Sequence, residues 1–167
     1  MTEQHVLQPG NLRSFSRYLE DNQRPREESV IWKQSSILQA LQTEEFTARG
    51  ALFLENPHRE KQGETLHDLS VTVQVIPAGD RTTPHSHSFW HLYVVISGKG
   101  ELVLDNNSPT PFASGDVIYV PAWSEHQFIN QEDENLVLYV IQNLPGMAKQ
   151  GTLLRNDGDK TYSPHSK

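Results

Sequence analysis

The middle of the chain is divided into short apolar segments by turn residues, and this pattern constrains the fold more than any other feature. Segments rich in Val, Ile, Leu and Tyr alternate with turns that carry Gly, Asp, Asn or Pro, such as Pro77–Asp80, Ser97–Gly100 and Ser114–Asp116. Many short strands at this spacing are typical of an antiparallel sandwich or barrel. The sequence therefore predicts an all-β fold, a small antiparallel β-barrel, with strands in Ala51–Glu55, Leu69–Ile76, Leu92–Ser97, Glu101–Asp105, Val117–Val120, His126–Asn130 and Leu136–Gln142.

The two ends of the chain are more polar than its middle, which divides the sequence into three expected parts. Residues 1–48 are predicted to form an N-terminal arm, mostly irregular, with a short helix within residues 11–20 and another from Ser35 to Gln42. The barrel is expected over residues 49–144. Residues 145–167 contain Pro, Gly, Lys, Asn, Asp and Ser with few apolar side chains, so we expect a flexible tail there.

Composition excludes several classes of function. A chain of 167 residues suits one domain with a hydrophobic core. Its 14 basic and 21 acidic residues give a net charge of −7, which argues against nucleic-acid binding because that requires clustered Lys and Arg. There are no cysteines, so disulfides, thiolate metal ligands and a cysteine nucleophile are excluded.

The hydropathy of the chain predicts no membrane partner. Its N-terminus lacks a basic start followed by an apolar run, which is the pattern of a signal peptide. No apolar stretch approaches the length of a membrane span. We therefore expect a cytoplasmic protein.

Histidines are concentrated in two short segments of the predicted barrel. Four of the eight in the chain are His85, His87, His91 and His126. Residues two apart on a strand point to the same face, so the first three can share one inward surface, and closure of a small barrel can bring the fourth to them from a distant strand. Because imidazole is the commonest protein ligand for Zn, Cu, Fe and Ni, all four are predicted to bind a divalent transition metal.

The number of histidine ligands decides what else the metal can hold. Three histidines leave three positions of an octahedron, enough for a two-oxygen chelate and dioxygen, whereas four leave two. For His91 the alternative to metal ligation is a pocket histidine that makes hydrogen bonds near the metal. Neutral imidazoles do not cancel the charge of a dication, so such a site favours an anionic chelating substrate.

Side chains near the histidines are candidates for binding that substrate. Gln74, Trp90, Tyr93 and Trp123 are predicted to line the pocket, although aromatic residues near a barrel mouth are often part of the core. Arg81 could pair with a substrate carboxylate, with an exposed turn arginine as the alternative.

Two motif frames carry a resemblance to a known family. The first has the spacing G-x5-H-x-H-x3-H-x6-G, and the second has the spacing G-x5-P-x-W-x2-H-x3-N; their fixed positions are Gly79, His85, His87, His91, Gly98, Gly115, Pro121, Trp123, His126 and Asn130. These frames resemble the paired motifs of the cupin superfamily, in which glutamate usually takes the place of His91 and glycine that of Trp123. The runs Gln74–Asp80, Pro84–His87 and Pro121–Trp123 are similar to those of the gentisate 1,2-dioxygenase group.

The resemblance implies a cupin, a jelly-roll-like double-stranded β-helix, and adds an expected chemistry. Gentisate dioxygenases hold ferrous iron with three histidines, which correspond here to His85, His87 and His126; they carry two cupin units per chain, whereas this chain has room for one. The expected function is therefore that of a dioxygenase-type oxidoreductase acting on a small aromatic or otherwise bidentate anionic molecule. Fe(II) is the expected metal, with Mn, Ni, Cu or Zn as alternatives.

Two further expectations accompany this one. The alternative function is a non-oxidative cupin, such as a lyase or isomerase, or a module that senses a small molecule or metal. Apolar side chains in the N-terminal arm, among them Phe15 and Trp32, could cover a partner's barrel, so a homodimer is expected.

Overall fold

The computed structural model describes residues 9–23, 26–43, 50–59, 63–157 and 161–162. Strands dominate these residues, as the sequence predicts, and each predicted strand segment overlaps an observed strand. The elements in chain order are α1 (Phe15–Asp21), α2 (Gln34–Thr43), β1 (Ala51–Phe53), β2 (Ser70–Ile76), β3 (Ser86–His87), β4 (His91–Ser97), β5 (Lys99–Leu104), β6 (Thr110–Ala113), β7 (Val117–Val120), β8 (His126–Ile129), β9 (Leu136–Gln142), α3 (Leu144–Lys149), β10 (Arg155–Asn156) and β11 (Thr161–Tyr162). Strands β3, β6, β10 and β11 were not predicted.

The strands pair antiparallel in three sheets. The largest has the order β1-β2-β9-β4-β7, and the two smaller ones have the orders β6-β5-β8 and β11-β10-β3. Hydrogen bonds between the named strands do not run around a closed ring. Isolated bridges link Arg81 to Ile129 and His85 to His126, and so connect the residues that precede β3 to β8. The fold is therefore the predicted all-β cupin arrangement, with the barrel wall assembled from separate sheets.

The core lies between the five-stranded sheet and the β6-β5-β8 sheet. Strand β9 alternates buried and half-buried residues along its whole length, and β4 buries His91, Tyr93 and Val95 while Leu92 and Val94 are only half-buried. This is the two-residue period expected of a strand with one face on the core. The inward direction predicted for β4 is confirmed. The buried apolar cluster comprises Ile76, Tyr93, Val95, Leu102, Phe112, Val120, Phe128, Leu136, Leu138 and Val140.

The described part of the N-terminal arm contains the two expected helices. Ser14 caps α1, since its hydroxyl accepts a hydrogen bond from the Arg17 backbone nitrogen at 3.3 Å. No residue of α1 is buried, whereas α2 buries Ile37. Residues 1–8 and 44–48 of the predicted arm lie outside the described residues. None of the helices among the described residues is long and apolar enough to cross a bilayer.

Within the segment expected to be a flexible tail, residues 145–157 contain most of α3 and the strand β10. Pro145 and Gly146 of α3 are buried, and the Lys149 ammonium lies 2.6 Å from the carboxylate of the buried Glu64. Beyond the helix, β10 pairs with β3. Polar contacts and backbone pairing hold this segment, which an apolar pattern could not indicate. Residues 158–160 and 163–167 of the predicted tail lie outside the described residues.

Candidate metal centre

Three of the four predicted ligands converge on one point of the barrel wall. His85 precedes β3, His87 ends β3 and His126 begins β8; their candidate ligand atoms all lie within 4.8 Å of one another. The backbones of His85 and His126 bond to each other in both directions, at 3.2 and 2.9 Å. This bridge fixes the distance between the two motif segments. All three rings are buried.

Each of these rings is oriented by a backbone carbonyl. Nδ1 of His85 lies 2.7 Å from the Thr83 oxygen, and Nδ1 of His87 lies 2.6 Å from the Phe89 oxygen. Nδ1 of His126 lies 3.0 Å from the Ser124 oxygen. A carbonyl only accepts, so each Nδ1 is the donor, and a neutral imidazole then carries its lone pair on Nε2. Metal-binding histidines are held in this way, with the second nitrogen donating to a fixed acceptor.

The chemistry of His87 shows that these residues fit a cation. Its Nε2 is buried and has no hydrogen-bond partner among the described residues. Burial lowers the pKa of His87 to about 3, assisted by the neighbouring His126, so the ring is neutral at physiological pH. A buried polar atom without a partner costs about 1–3 kcal/mol, and a metal ion would satisfy this lone pair. Neutral nitrogen donors are the set that Fe, Zn, Cu and Ni accept.

His91 lies beside the cluster, but both of its nitrogens are engaged by protein groups. Its ring centroid is 4.4 Å from that of His87. Nε2 is 2.7 Å from the Gln142 side-chain oxygen, and Nδ1 is 2.5 Å from the Tyr93 hydroxyl. The group of nitrogens close enough to share an ion contains the other three histidines and not His91. This geometry favours the hydrogen-bonding alternative over a fourth ligand.

The hydrogen bonds of His91 have a direction. The Gln142 oxygen accepts a hydrogen bond from Nε2, and burial lowers the pKa of His91, so the ring is neutral and its Nδ1 accepts a hydrogen bond from the Tyr93 hydroxyl. Burial raises the pKa of Tyr93, which keeps that proton in place. The phenol oxygen also lies 3.3 Å from Nε2 of His126. Tyr93 therefore presents its oxygen lone pairs at the edge of the histidine cluster.

His85 and His87 line a cavity of about 190 Å³, whereas His126 is not among its lining residues. Its polar lining includes Gln74, Tyr93 and Gln142, and its apolar lining includes Phe53 and Phe89. The Phe89 ring stacks on His87 with centroids 3.8 Å apart, which shields one face of that ring from water. None of the described residues that line the cavity is acidic. The cavity therefore combines neutral donors with a cationic side chain, Arg155.

The predicted substrate residues divide into two groups. Gln74 and Tyr93 line the cavity, whereas Trp90 and Trp123 are not among its lining residues. The backbone of Trp123 has a positive φ of 67°, and its side chain is 54% exposed. Its backbone nitrogen donates to the His87 carbonyl at 2.7 Å, so Trp123 supports a ligand strand through its main chain. Arg81 is exposed and lies outside the lining as well.

Gln142 and Arg155 are among the lining residues that were not predicted. Gln142 ends β9, whose alternating residues face inward, so the period of that strand could have indicated it. Arg155 lies in the segment expected to be flexible, and nothing in its sequence neighbourhood indicates a strand. Antiparallel pairing of β10 with β3 places Arg155 directly opposite His87.

Comparisons with known proteins agree with this geometry. Residues 72–142 match the family model described as Cupin domain. A 5-nitrosalicylic acid 1,2-dioxygenase of Bradyrhizobium sp is 34% identical over 77 residues, covering 45% of this chain and 36% of the relative. A 5-aminosalicylate 1,2-dioxygenase of Comamonas sp is 32% identical over 103 residues, covering 62% and 27%. The matches thus span about a quarter to a third of the curated relatives' length.

Solved structures show the same fold over more of the chain. A salicylate 1,2-dioxygenase from Pseudaminobacter salicylatoxidans superposes with a TM-score of 0.72 and 20% identity, covering 93% of this chain and 52% of that one. At that identity the likeness concerns the fold. The family model identifies residues 72–142 as a cupin domain, and the fold of the chain resembles about half of the salicylate dioxygenase structure.

Proposed function

We propose that this protein is a metal-dependent oxidoreductase of the dioxygenase type, which holds Fe(II) with His85, His87 and His126 and acts on a small aromatic acid. The observation that carries the proposal is the convergence of three imidazoles, each held by a backbone carbonyl, two of which, His85 and His87, line the cavity. Similarity to dioxygenases of substituted salicylates supports the choice of chemistry. Because the chain spans only part of those relatives, the whole reaction is a proposal.

The ligand set suits this chemistry better than a four-histidine set does. If it were bound by three histidines, a ferrous ion would supply Lewis acidity and electrons for dioxygen and would keep coordination positions for a substrate. His91 serves in this proposal as a hydrogen-bond acceptor for Tyr93, not as a ligand. Its engagement by Gln142 and Tyr93 keeps those positions open.

The other cavity residues orient the substrate and exclude water. Gln74 lies on the polar part of the lining, where its amide can donate a hydrogen bond to a substrate oxygen, and the Tyr93 oxygen, whose proton is donated to His91, can accept one. Phe53 and Phe89 provide apolar surface for an aromatic ring. The chain's own contribution is thus a dry, shaped site in which the reacting groups are held together.

The decisive experiment measures oxygen uptake. Metal-free protein is reconstituted with Fe(II) under argon, and oxygen consumption is followed after addition of gentisate, salicylate or a small diketone. We expect uptake that requires both iron and a substrate, that is lost in His87→Ala, and that persists in His58→Ala, a matched histidine at an exposed site. Conversion of substrate without oxygen consumption would support the lyase or isomerase alternative. Absence of any reaction in iron-loaded protein would refute the enzymatic proposal.

We also propose a homodimer, for which the exposed apolar side chains of the N-terminal arm are the support. Leu12, Phe15 and Leu19 are exposed by 103%, 75% and 51% on or next to α1. Apolar groups of this kind are stabilised when a second subunit covers them. Light scattering is expected to give twice the chain mass of 19.0 kDa, and a monomer at micromolar concentration would contradict the proposal. The cytoplasmic location stays a prediction.

A further inference from the structure

We infer that Arg155, delivered by the C-terminal strand β10, is the residue that recognises the carboxylate of the substrate. Arg155 lines the cavity together with His85 and His87, and it is the one cationic side chain among the described lining residues. The inference rests on the proposed function for its choice of an aromatic acid. It adds the group that selects an acid over a neutral ring compound, from a segment outside the matched cupin domain.

The direction of the Arg155 side chain follows from strand pairing. In an antiparallel pair, two residues directly opposite each other project their side chains to the same face. Arg155 is opposite His87, whose ring faces the cavity. The guanidinium and the imidazole therefore leave the sheet on the same side, which agrees with their shared place in the lining.

The backbone around Arg155 is fixed by hydrogen bonds to the histidine segment. The Ser88 hydroxyl donates to the Thr152 oxygen at 2.8 Å and accepts from the Leu154 nitrogen at 2.9 Å. The Ser88 nitrogen in turn donates to the Leu154 oxygen at 3.0 Å. Ser88 is the neighbour of His87, so the arginine strand is held to the same short stretch that carries two of the ligands.

The charge distribution of the site favours an anion. The chain has a net charge of −7, yet none of the described cavity-lining residues is acidic. Nε of Arg155 is 2.9 Å from Asp157, a contact on one edge of the guanidinium that sets its orientation. Arginine presents a rigid fork of donors that matches the two oxygens of a carboxylate. With its side chain 34% exposed, Arg155 is accessible to a ligand entering the cavity.

Binding to zinc-loaded protein tests the inference without any turnover. Salicylate and salicylamide share a ring and a hydroxyl, but only salicylate carries a carboxylate. Titration calorimetry is expected to show that wild type binds salicylate more tightly than salicylamide. Arg155→Met is expected to lower the affinity for salicylate by about tenfold to a hundredfold, which is the loss expected for a charge-assisted hydrogen bond. Salicylamide affinity is expected to change less than about threefold, because the neutral ligand makes no ion pair.

Matched variants separate recognition from folding and from net charge. Arg81→Met removes the same charge from an exposed position outside the cavity, and wild-type affinity is expected. Arg155→Lys keeps the charge without the fork, so an intermediate salicylate affinity is expected. Zinc content and unfolding temperature, equal to wild type in every variant, show that the site is intact.

Two results would overturn the inference: equal losses for salicylate and salicylamide in Arg155→Met, or zinc-loaded wild type that binds neither ligand. If the oxygen-uptake experiment fails while the selective loss of salicylate affinity is seen, the oxidative function is wrong and the carboxylate site stands. If oxygen is consumed but Arg155→Met binds salicylate as wild type does, the oxidative function stands and the carboxylate site is wrong.

Discussion

Replacing Lys149 by methionine tests whether polar contacts hold the C-terminal segment on the barrel. The Lys149 ammonium lies 2.6 Å from Glu64 and 3.0 Å from Asp68. The Glu64 side chain is 3% exposed and that of Lys149 is 32% exposed, so the pair is neither fully buried nor a surface pair. Removal of one partner costs about 3–5 kcal/mol for a buried pair, whereas an exposed pair contributes about 0–1 kcal/mol. We therefore expect Lys149→Met to lower the free energy of unfolding by about 2 kcal/mol.

Urea denaturation of the metal-free protein measures this loss. Lys99→Met is the matched control, since Lys99 pairs with Glu132 at 3.1 Å while both side chains are exposed, and its expected cost is below about 1 kcal/mol. In a Glu64→Gln background the cost of Lys149→Met is expected to fall, because no buried carboxylate is left unpaired. Equal midpoints for Lys149→Met and Lys99→Met would refute the reasoning.

The pH dependence of the same difference has a definite sign. Hydrogen bonding to Glu64 raises the pKa of Lys149 above its ordinary value of 10.5. A raised folded-state pKa gives stabilisation that is complete below the unfolded value and is lost as pH rises through the folded value. The difference in unfolding free energy between wild type and Lys149→Met is therefore expected to be constant from neutral pH to about pH 10 and to shrink above it. A difference that vanished at neutral pH would contradict this assignment.

Three further substitutions give separate tests. His91→Ala is expected to retain iron at the wild-type ratio, measured by plasma emission spectrometry, because both ring nitrogens bond to protein groups; loss of iron equal to that of His87→Ala would make His91 a ligand. Tyr93→Phe leaves the buried Nδ1 of His91 without its hydrogen-bond donor and is expected to lower the free energy of unfolding of the metal-free protein by about 1–3 kcal/mol, measured by urea denaturation. An unchanged denaturation midpoint would contradict this expectation. Gly100→Ala places a Cβ atom 2.8 Å from the Ile129 carbonyl oxygen and is expected to lower the melting temperature. The control is Gly79→Ala, where a positive φ of 71° strains the backbone but the new Cβ meets nothing within 4 Å, so a smaller decrease is expected. A larger decrease for Gly79→Ala would contradict the packing argument.

The strands and the positions of the three clustered histidines could be predicted because they follow from local rules. Alternation of apolar residues fixes which face of β4 and β9 is inward, and Gly-containing turns fix where strands end. The first motif supplies His85, just before β3, and His87, at the end of β3, and the second motif supplies His126. The hydrogen-bond partners of a ring nitrogen do not follow from such local rules. Sequence places His91 on the correct face but does not say that Gln142 and Tyr93 bond to it.

Two features differ from what the sequence pattern indicates: the direction of the Trp123 side chain, and the structure of the C-terminal segment, which depends on long-range polar contacts. Trp123 stands in the second motif, but a left-handed backbone in that turn leaves its indole exposed. The segment from residue 145 onward has few apolar residues, so pattern analysis assigns it no structure. Its anchors are Lys149, buried Glu64 and the Ser88 hydroxyl, which are separated from one another in the sequence.

The short stretch from His85 to Ser88 connects the two halves of the proposed site. His85 and His87 supply rings to the histidine cluster, while Ser88 and the His87 backbone hold the strand that carries Arg155. A shift of this stretch would displace the ligands and the cation together, since all are tied to the same few backbone groups. A substrate that spans from the metal to Arg155 would therefore meet a fixed distance between its two anchoring points. Rigid placement of that kind lowers the entropy lost when the substrate is bound. The C-terminal segment, which carries Arg155, would therefore determine together with the histidine motifs which acids fit the cavity.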